Sequence, residues 1–135
     1  TYQWRRINRL RRTQEGRLTM QVKRIVTNIA TQNLPETAKF YEVIFGLEAV
    51  MDLGFIRTYS SGAEMTTQIS IASEGGSGTP VPDVSIEVDD LAAILERVKS
   101  ANIPIEYGPV SEPWGVRRFY MRDPVGKLLN VVEHE

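Results

Sequence analysis

The chain has 135 residues, 41% of them hydrophobic, with 16 Lys and Arg against 17 Asp and Glu, and no cysteine. That length suits one domain or two small modules, and the lack of cysteine excludes disulfides, thiolate nucleophiles and Cys-ligated metals. No apolar run approaches the roughly 20 residues of a membrane span and no signal-peptide pattern is present, so no membrane partner and a cytoplasmic location are the expectation.

The net charge of -1 is unevenly spread. Residues 1–19 carry Arg5, Arg6, Arg9, Arg11, Arg12 and Arg17 against Glu15, a net of +5, which leaves -6 for the rest. An acidic body argues against a nucleic-acid surface there. Residues 1–19 are read as a basic leader, expected to be disordered. Two other readings stay open. The native start is Met20, or the leader is a basic arm for RNA or anionic lipid, with Trp4, Ile7 and Leu10 at helical spacing.

Val22 to Thr31 reads as a strand. Asn33 suits a helix N-cap and Pro35 its permissive first turn. Ala38, Tyr41, Glu42 and Phe45 fall at helical spacing, Phe40 and Ile44 widen the apolar stripe, and Gly46 is the expected left-handed terminator. Leu47 to Tyr59 holds one or two strands, and Ser60-Ser61-Gly62 a turn. In Ala63 to Ala72, Met65, Thr67, Ile69 and Ile71 oppose Glu64, Thr66, Gln68 and Ser70. Residues 73–82, rich in Gly, Ser and Pro, read as a flexible linker.

The pattern then restarts. Val84, Ile86 and Val88 oppose Asp83, Ser85 and Glu87. Asp89 or Asp90 caps a helix through Leu91, Ile94, Leu95 and Val98, and Asn102 ends it. Ile103 to Tyr107 reads as a short strand. Two strands joined by Asp123-Pro124-Val125-Gly126 close the chain. Asp at position i, Pro at i+1 and Gly at i+3 suit a type I turn. Alternation places Arg118, Tyr120 and Asn130 together on one face of this hairpin and Phe119, Met121, Leu129 and Val131 on the other.

Strand–helix–strands therefore occurs twice. Asn33 placed on Asp90 also places Val26 on Asp83, an offset of 57 residues. Such repetition fixes the architecture. It predicts an α+β fold of two βαβββ modules, residues 20–72 and 83–135, forming curved mixed sheets with helices on the outer face.

With Asn33-Leu34-Pro35-Glu36-Thr37-Ala38-Lys39-Phe40-Tyr41, Phe45-Gly46-Leu47, Val88-Asp89-Asp90-Leu91 and Asp123-Pro124-Val125-Gly126 in this order, the chain resembles the vicinal oxygen chelate superfamily. That superfamily includes glyoxalase I, extradiol dioxygenases, and fosfomycin and bleomycin resistance proteins. The resemblance implies metal ligands, in metal-dependent members, on the first strand of each module and on a last strand. Carried over, these fall on Val26, Asp83 and Asn130, with Gln68 nearest for a further one. Val26 has no donor atom and Asn130 is a weak neutral ligand, and the only histidine is His134. No metal and no other cofactor are therefore expected, and the chain is most similar to metal-independent, bleomycin-resistance-like members. These are dimers with ligand clefts between modules of different subunits, so the resemblance implies a homodimer, with a single-chain cup as the alternative.

The candidate ligand-binding residues are Asn28, Gln68, Asp83, Ser85, Glu87, Trp114, Arg118, Tyr120 and Asn130. Arg118 suits an anionic group, Asp83 or Glu87 a cationic one, Tyr120 and Trp114 stacking, and Asn28 and Asn130 hydrogen bonding. The plain structural reading pairs Arg118 with Asp83 or Glu87 inside the sheet. The expected function is binding or sequestering a small molecule. One competing class is a lyase, isomerase or dioxygenase using a metal or carboxylates, with Glu87 or Asp83 as base and Tyr120 as acid. The other is a non-catalytic regulatory or structural module.

Overall fold

The computed structural model describes residues 20–62 and 68–135. The basic leader and the strand reading over residues 63–67, Met65 and Thr67 included, lie outside the described residues. The chain divides into two units, Val26–Asp83 and a second made of residues 20–25 with Val84–Glu135. The division falls inside β1 (Val22–Ala30).

In the first unit, α1 (Leu34–Phe45), β2 (Glu48–Asp52), β3 (Ile56–Ser60) and β4 (Gln68–Ala72) follow β1. The strands lie in the order β2-β3-β4-β1, with β1 parallel to β4 and the other neighbours antiparallel. Asn33 caps α1 by accepting from the Glu36 amide, and Gly46 ends it at φ 64°. Only glycine takes that left-handed turn without steric cost. Leu34 and Ala38 pack on Tyr59 and Ile71, with Tyr41, Leu47 and Ile69 beside them.

The second unit repeats the plan with β5 (Val84–Val88), α2 (Leu91–Ser100), β6 (Tyr107–Glu112), β7 (Val116–Arg122) and β8 (Leu128–His134). Its order is β5-β8-β7-β6, with β5 parallel to β8. Asp90 is the cap, accepting from the Ala93 amide, while Asp89 accepts from the Gln21 amide. Glu133, a charge on an otherwise apolar strand face, accepts from the Leu91 amide at 2.7 Å. It thus meets an unsatisfied donor at the positive end of α2. Leu91, Leu95 and Val98 pack on Val88, Phe119 and Val131. Full burial of each such side chain is worth about 1.5–3 kcal/mol.

The β7–β8 turn is the one expected. Gly126 donates to the Asp123 carbonyl, and Asp123 Oδ1 accepts from the amides of Val125 and Lys127. One strand needs correcting. The expected strand over Ile103 to Tyr107 starts only at Tyr107 and runs on to Glu112. Residues 73–82 close a hydrogen-bonded turn, with Gly75 donating to Thr79 O, Thr79 to Gly76 O and Gly78 to Glu74 Oε1. Among the described residues no helix is long and apolar enough to cross a membrane.

Candidate ligand site

Phe119, Met121 and Val131 face α2, so their strand neighbours face the other way. Register then assembles two rows on the face without a helix. Ser85 lies opposite Asn130, Asn130 opposite Tyr120, and Tyr120 opposite Tyr107. Glu87 lies opposite Val132, Val132 opposite Arg118, and Arg118 opposite Val110. Six of the residues expected from sequence to bind ligand belong to this unit: Ser85, Glu87, Trp114, Arg118, Tyr120 and Asn130. Glu87, Arg118 and Asn130 are buried.

Arg118 is the centre of the face. Its Nε donates to Glu112 Oε2 at 2.8 Å, its Nη2 lies 2.6 Å from the same oxygen, and its Nη1 donates to the Tyr120 hydroxyl at 3.1 Å. The Tyr107 hydroxyl also donates to Glu112 Oε2, at 3.0 Å. The rings of Tyr107, Trp114 and Tyr120 stand 5.4, 5.1 and 5.1 Å from the guanidinium carbon. Within about 6 Å a ring face attracts a cation, more so when both are desolvated. The intrachain carboxylate on Arg118 is thus Glu112, in place of Asp83 or Glu87. Breaking such a buried pair leaves an uncompensated charge.

Glu112 lies beyond the strand expected over Ile103 to Tyr107, and a bulge would have misplaced it even in a longer one. Residues 107 and 112 have opposite parity, and plain alternation puts them on opposite faces. The register shifts between Tyr107 and Val110, which brings Tyr107 and Glu112 to one face. Gly108 makes the shift possible. It sits at φ 77°, and a Cβ there would meet the Arg118 carbonyl oxygen at 2.5 Å. The Gly108-Pro109 pair in the middle of a strand was the available signal.

Glu87 is held from three sides. Arg24 Nε lies 2.5 Å from Oε1, Lys23 Nζ 3.7 Å from Oε2 and His134 Nε2 3.7 Å from Oε1. Ser85 Oγ accepts from Asn130 Nδ2 at 3.1 Å.

The other three expected residues lie in the first unit. Asn28 faces Ser70 in the β1–β4 register, and Ser70 Oγ bonds Thr58 Oγ1 at 2.7 Å. Asp83 is exposed at the end of that unit, where its carbonyl accepts from the Asn28 amide. Gln68 lines an apolar cavity of about 310 Å3 with Tyr41, Phe45, Leu47, Tyr59 and Ile69. Tyr59 donates to Glu42 at 2.5 Å, and burial, then this carboxylate, raises its hydroxyl above the ordinary 10.0.

The positions implied for a metal do not fit one. Val26 is a buried aliphatic residue with no donor atom, and Asn130 offers only a neutral amide oxygen. Among the described residues no three His, Cys, Asp or Glu side chains meet in a cluster that could hold an ion.

The profile of the Glyoxalase/Bleomycin resistance protein/Dioxygenase superfamily matches residues 21–131. The chain belongs to this superfamily. Solved structures agree with the glyoxalase-superfamily fold. A superfamily member from Vibrio splendidus 12B01 superposes with a TM-score of 0.61 at 17% identity, over 83% of this chain and 98% of that one. Methylmalonyl-CoA epimerase from Mycobacterium tuberculosis gives 0.63 at 19% identity, over 88% and 93%. A Legionella pneumophila protein described as an NAD-dependent benzaldehyde dehydrogenase gives 0.67 at 12% identity, over 83% and 100%. At such identities the likeness is one of fold, which hosts several chemistries.

Proposed function

We propose that this glyoxalase-superfamily protein binds a small molecule on the helix-free face of Val84–Glu135, without a catalytic metal. The observation that carries the reading is the buried Arg118–Glu112 pair inside its three rings. It makes a wall that is polar and pre-organised, with Ser85, Asn130 and Tyr120 in the neighbouring row. Pre-organised polar groups set in apolar surroundings fix a ligand at low entropic cost. Metal analysis of protein purified without chelator, with and without added nickel, zinc, manganese and iron, is expected to find no stoichiometric ion. A chemically diverse thermal-shift screen is expected to return compounds whose stabilisation is lost in Tyr120→Phe. Stoichiometric metal, or hits indifferent to this change, would sink the reading.

A second reading is proton-transfer catalysis, as in an isomerase or epimerase. It is favoured by Glu87, a buried carboxylate with His134 beside it, and by the epimerase among the fold neighbours. Against it, Oε1 of Glu87 already holds Arg24. Deuterium uptake from solvent into a methylmalonyl thioester would favour this reading over simple binding.

The assembly we infer is a homodimer. Phe40, Val43, Ile44 and Phe45 on α1 are each more than half exposed. Together they offer about half of the ~800 Å2 that a standard interface takes from each partner. A second copy fits this stripe best, because an apolar stripe is complementary to itself across a two-fold axis. Light scattering should give twice the chain mass, and Val43→Glu should halve it. A monomeric wild type, or a stripe covered by residues 1–19, would remove this assembly.

A further inference from the structure

Asn130 carries an inference about the ligand, and it rests on the binding reading above. The residue is only 8% exposed. Its Nδ2 is committed to Ser85 Oγ at 3.1 Å. Its Oδ1 is fully buried and accepts no hydrogen bond among the described residues. A buried acceptor left without a donor costs about 1–3 kcal/mol, and native folds seldom leave one so. The register sets Asn130 between Ser85 and Tyr120 on the helix-free face, so a donor reaching Oδ1 comes from that side.

The surroundings restrict the charge of that donor's owner. The buried guanidinium at Arg118 already has its carboxylate in Glu112. A cationic ligand would have to share the face with it unpaired. An anionic ligand would set its lone pairs against those of Oδ1, and the Arg24 and Lys23 charges near this face are engaged by Glu87. Desolvating an ion without a partner is expensive in either case. A neutral N–H or O–H meets the acceptor without that cost.

We propose that the site takes an uncharged ligand that donates an N–H or O–H to Asn130 Oδ1, a primary or secondary carboxamide or an alcohol, and discriminates against the corresponding carboxylate and amine.

The test is an amide-resolved NMR titration of the full chain with benzamide, N,N-dimethylbenzamide, benzyl alcohol, benzoate and benzylamine at millimolar concentration. Benzamide is expected to give saturable shifts at Ser85, Tyr120 and Asn130. Dimethylation, which removes both N–H groups, should weaken binding at least tenfold, and so should replacement by benzoate. Asn130→Leu should abolish the difference between benzamide and its dimethyl form. The wild-type comparison needs no variant, so a misfolded Asn130→Leu does not spoil the test. Equal binding of benzamide and N,N-dimethylbenzamide would overturn the proposal. So would benzoate outranking benzamide, the result expected if Asn130 offers Nδ2 in place of Oδ1; the binding reading would survive both. No shift at these residues with any of the five probes also overturns it. If the diverse screen finds nothing either, the binding reading falls as well.

Discussion

In Val26–Asp83 the strand face away from the helix carries Asn28, Ser70 and Thr58, small neutral groups, the last two joined by a hydroxyl–hydroxyl bond. In Val84–Glu135 the equivalent face carries Glu87, Glu112 and Arg118, all buried. The helices differ in the opposite sense. α2 buries Leu91, Leu95 and Val98, while α1 buries only Leu34 and Ala38 and leaves an apolar stripe in the open. One duplicated plan has thus put its costly electrostatics in one copy and its exposed hydrophobic surface in the other. The difference teaches that caps, turns and strand order hold the plan, while the strand faces are free to diverge.

The sharpest way to break this contrast is at the buried pair. Glu112→Ala strands the Arg118 charge and is expected to cost about 3–5 kcal/mol in a denaturant titration. Thr58→Val, on the equivalent face of the first unit, removes one neutral hydrogen bond and should cost about 1 kcal/mol. Similar losses at the two sites would mean the second unit is not electrostatically special. The double replacement Glu112→Leu with Arg118→Met should recover much of the single-variant loss, since two apolar groups leave nothing unpaired.

Tyr59 comes next. Below pH 10 its hydroxyl bond to Glu42 is intact, and Tyr59→Phe should cost about 1.5 kcal/mol. The folded hydroxyl holds its proton beyond the ordinary 10.0, first because burial and then because Glu42 disfavour the phenolate. Its contribution is complete below pH 10 and disappears as the pH climbs through the raised value. The variant should therefore lose less stability than wild type between pH 10 and 12, and parallel profiles would refute this role.

The caps should behave alike in both units. Asn33→Ala and Asp90→Ala are each expected to cost about 1 kcal/mol, because each side chain accepts from an amide of the first turn. A tenfold difference in the two equilibrium effects would show that the repeated plan is not equally stabilised. The smallest effect is on α1. Val43→Ser, on an exposed position, should stay within about 0.5 kcal/mol in the monomer, while Leu91→Ala in the core should cost about 2–5 kcal/mol.

Local chemistry was the readable part of the chain. Asn33, Gly46, Asp90 and Asp123 act where their side chains or backbone freedom dictate, because caps and turns depend on neighbours a few residues away. Strict alternation likewise set Ser85, Arg118, Tyr120 and Asn130 on one face. What could not be read was pairing at a distance. Arg118 met Glu112 through a bulge that reverses parity, and Arg24 and His134 met Glu87 across 63 and 47 residues of chain. The strand over Ile103 to Tyr107 was misplaced because it was drawn through Pro104 and stopped short of Pro109, whereas the strand of the fold excludes the first and contains the second.

The aromatic box has an optical use. The chain holds two tryptophans, Trp4 and Trp114, and Trp114 stands 5.1 Å from the Arg118 guanidinium. With Trp4 replaced by Phe, the remaining indole sits against the wall proposed to bind ligand, where occupancy would alter its field and hydration. Its emission wavelength then becomes a built-in gauge of occupancy, readable on unlabelled protein in a cuvette before any ligand has been named.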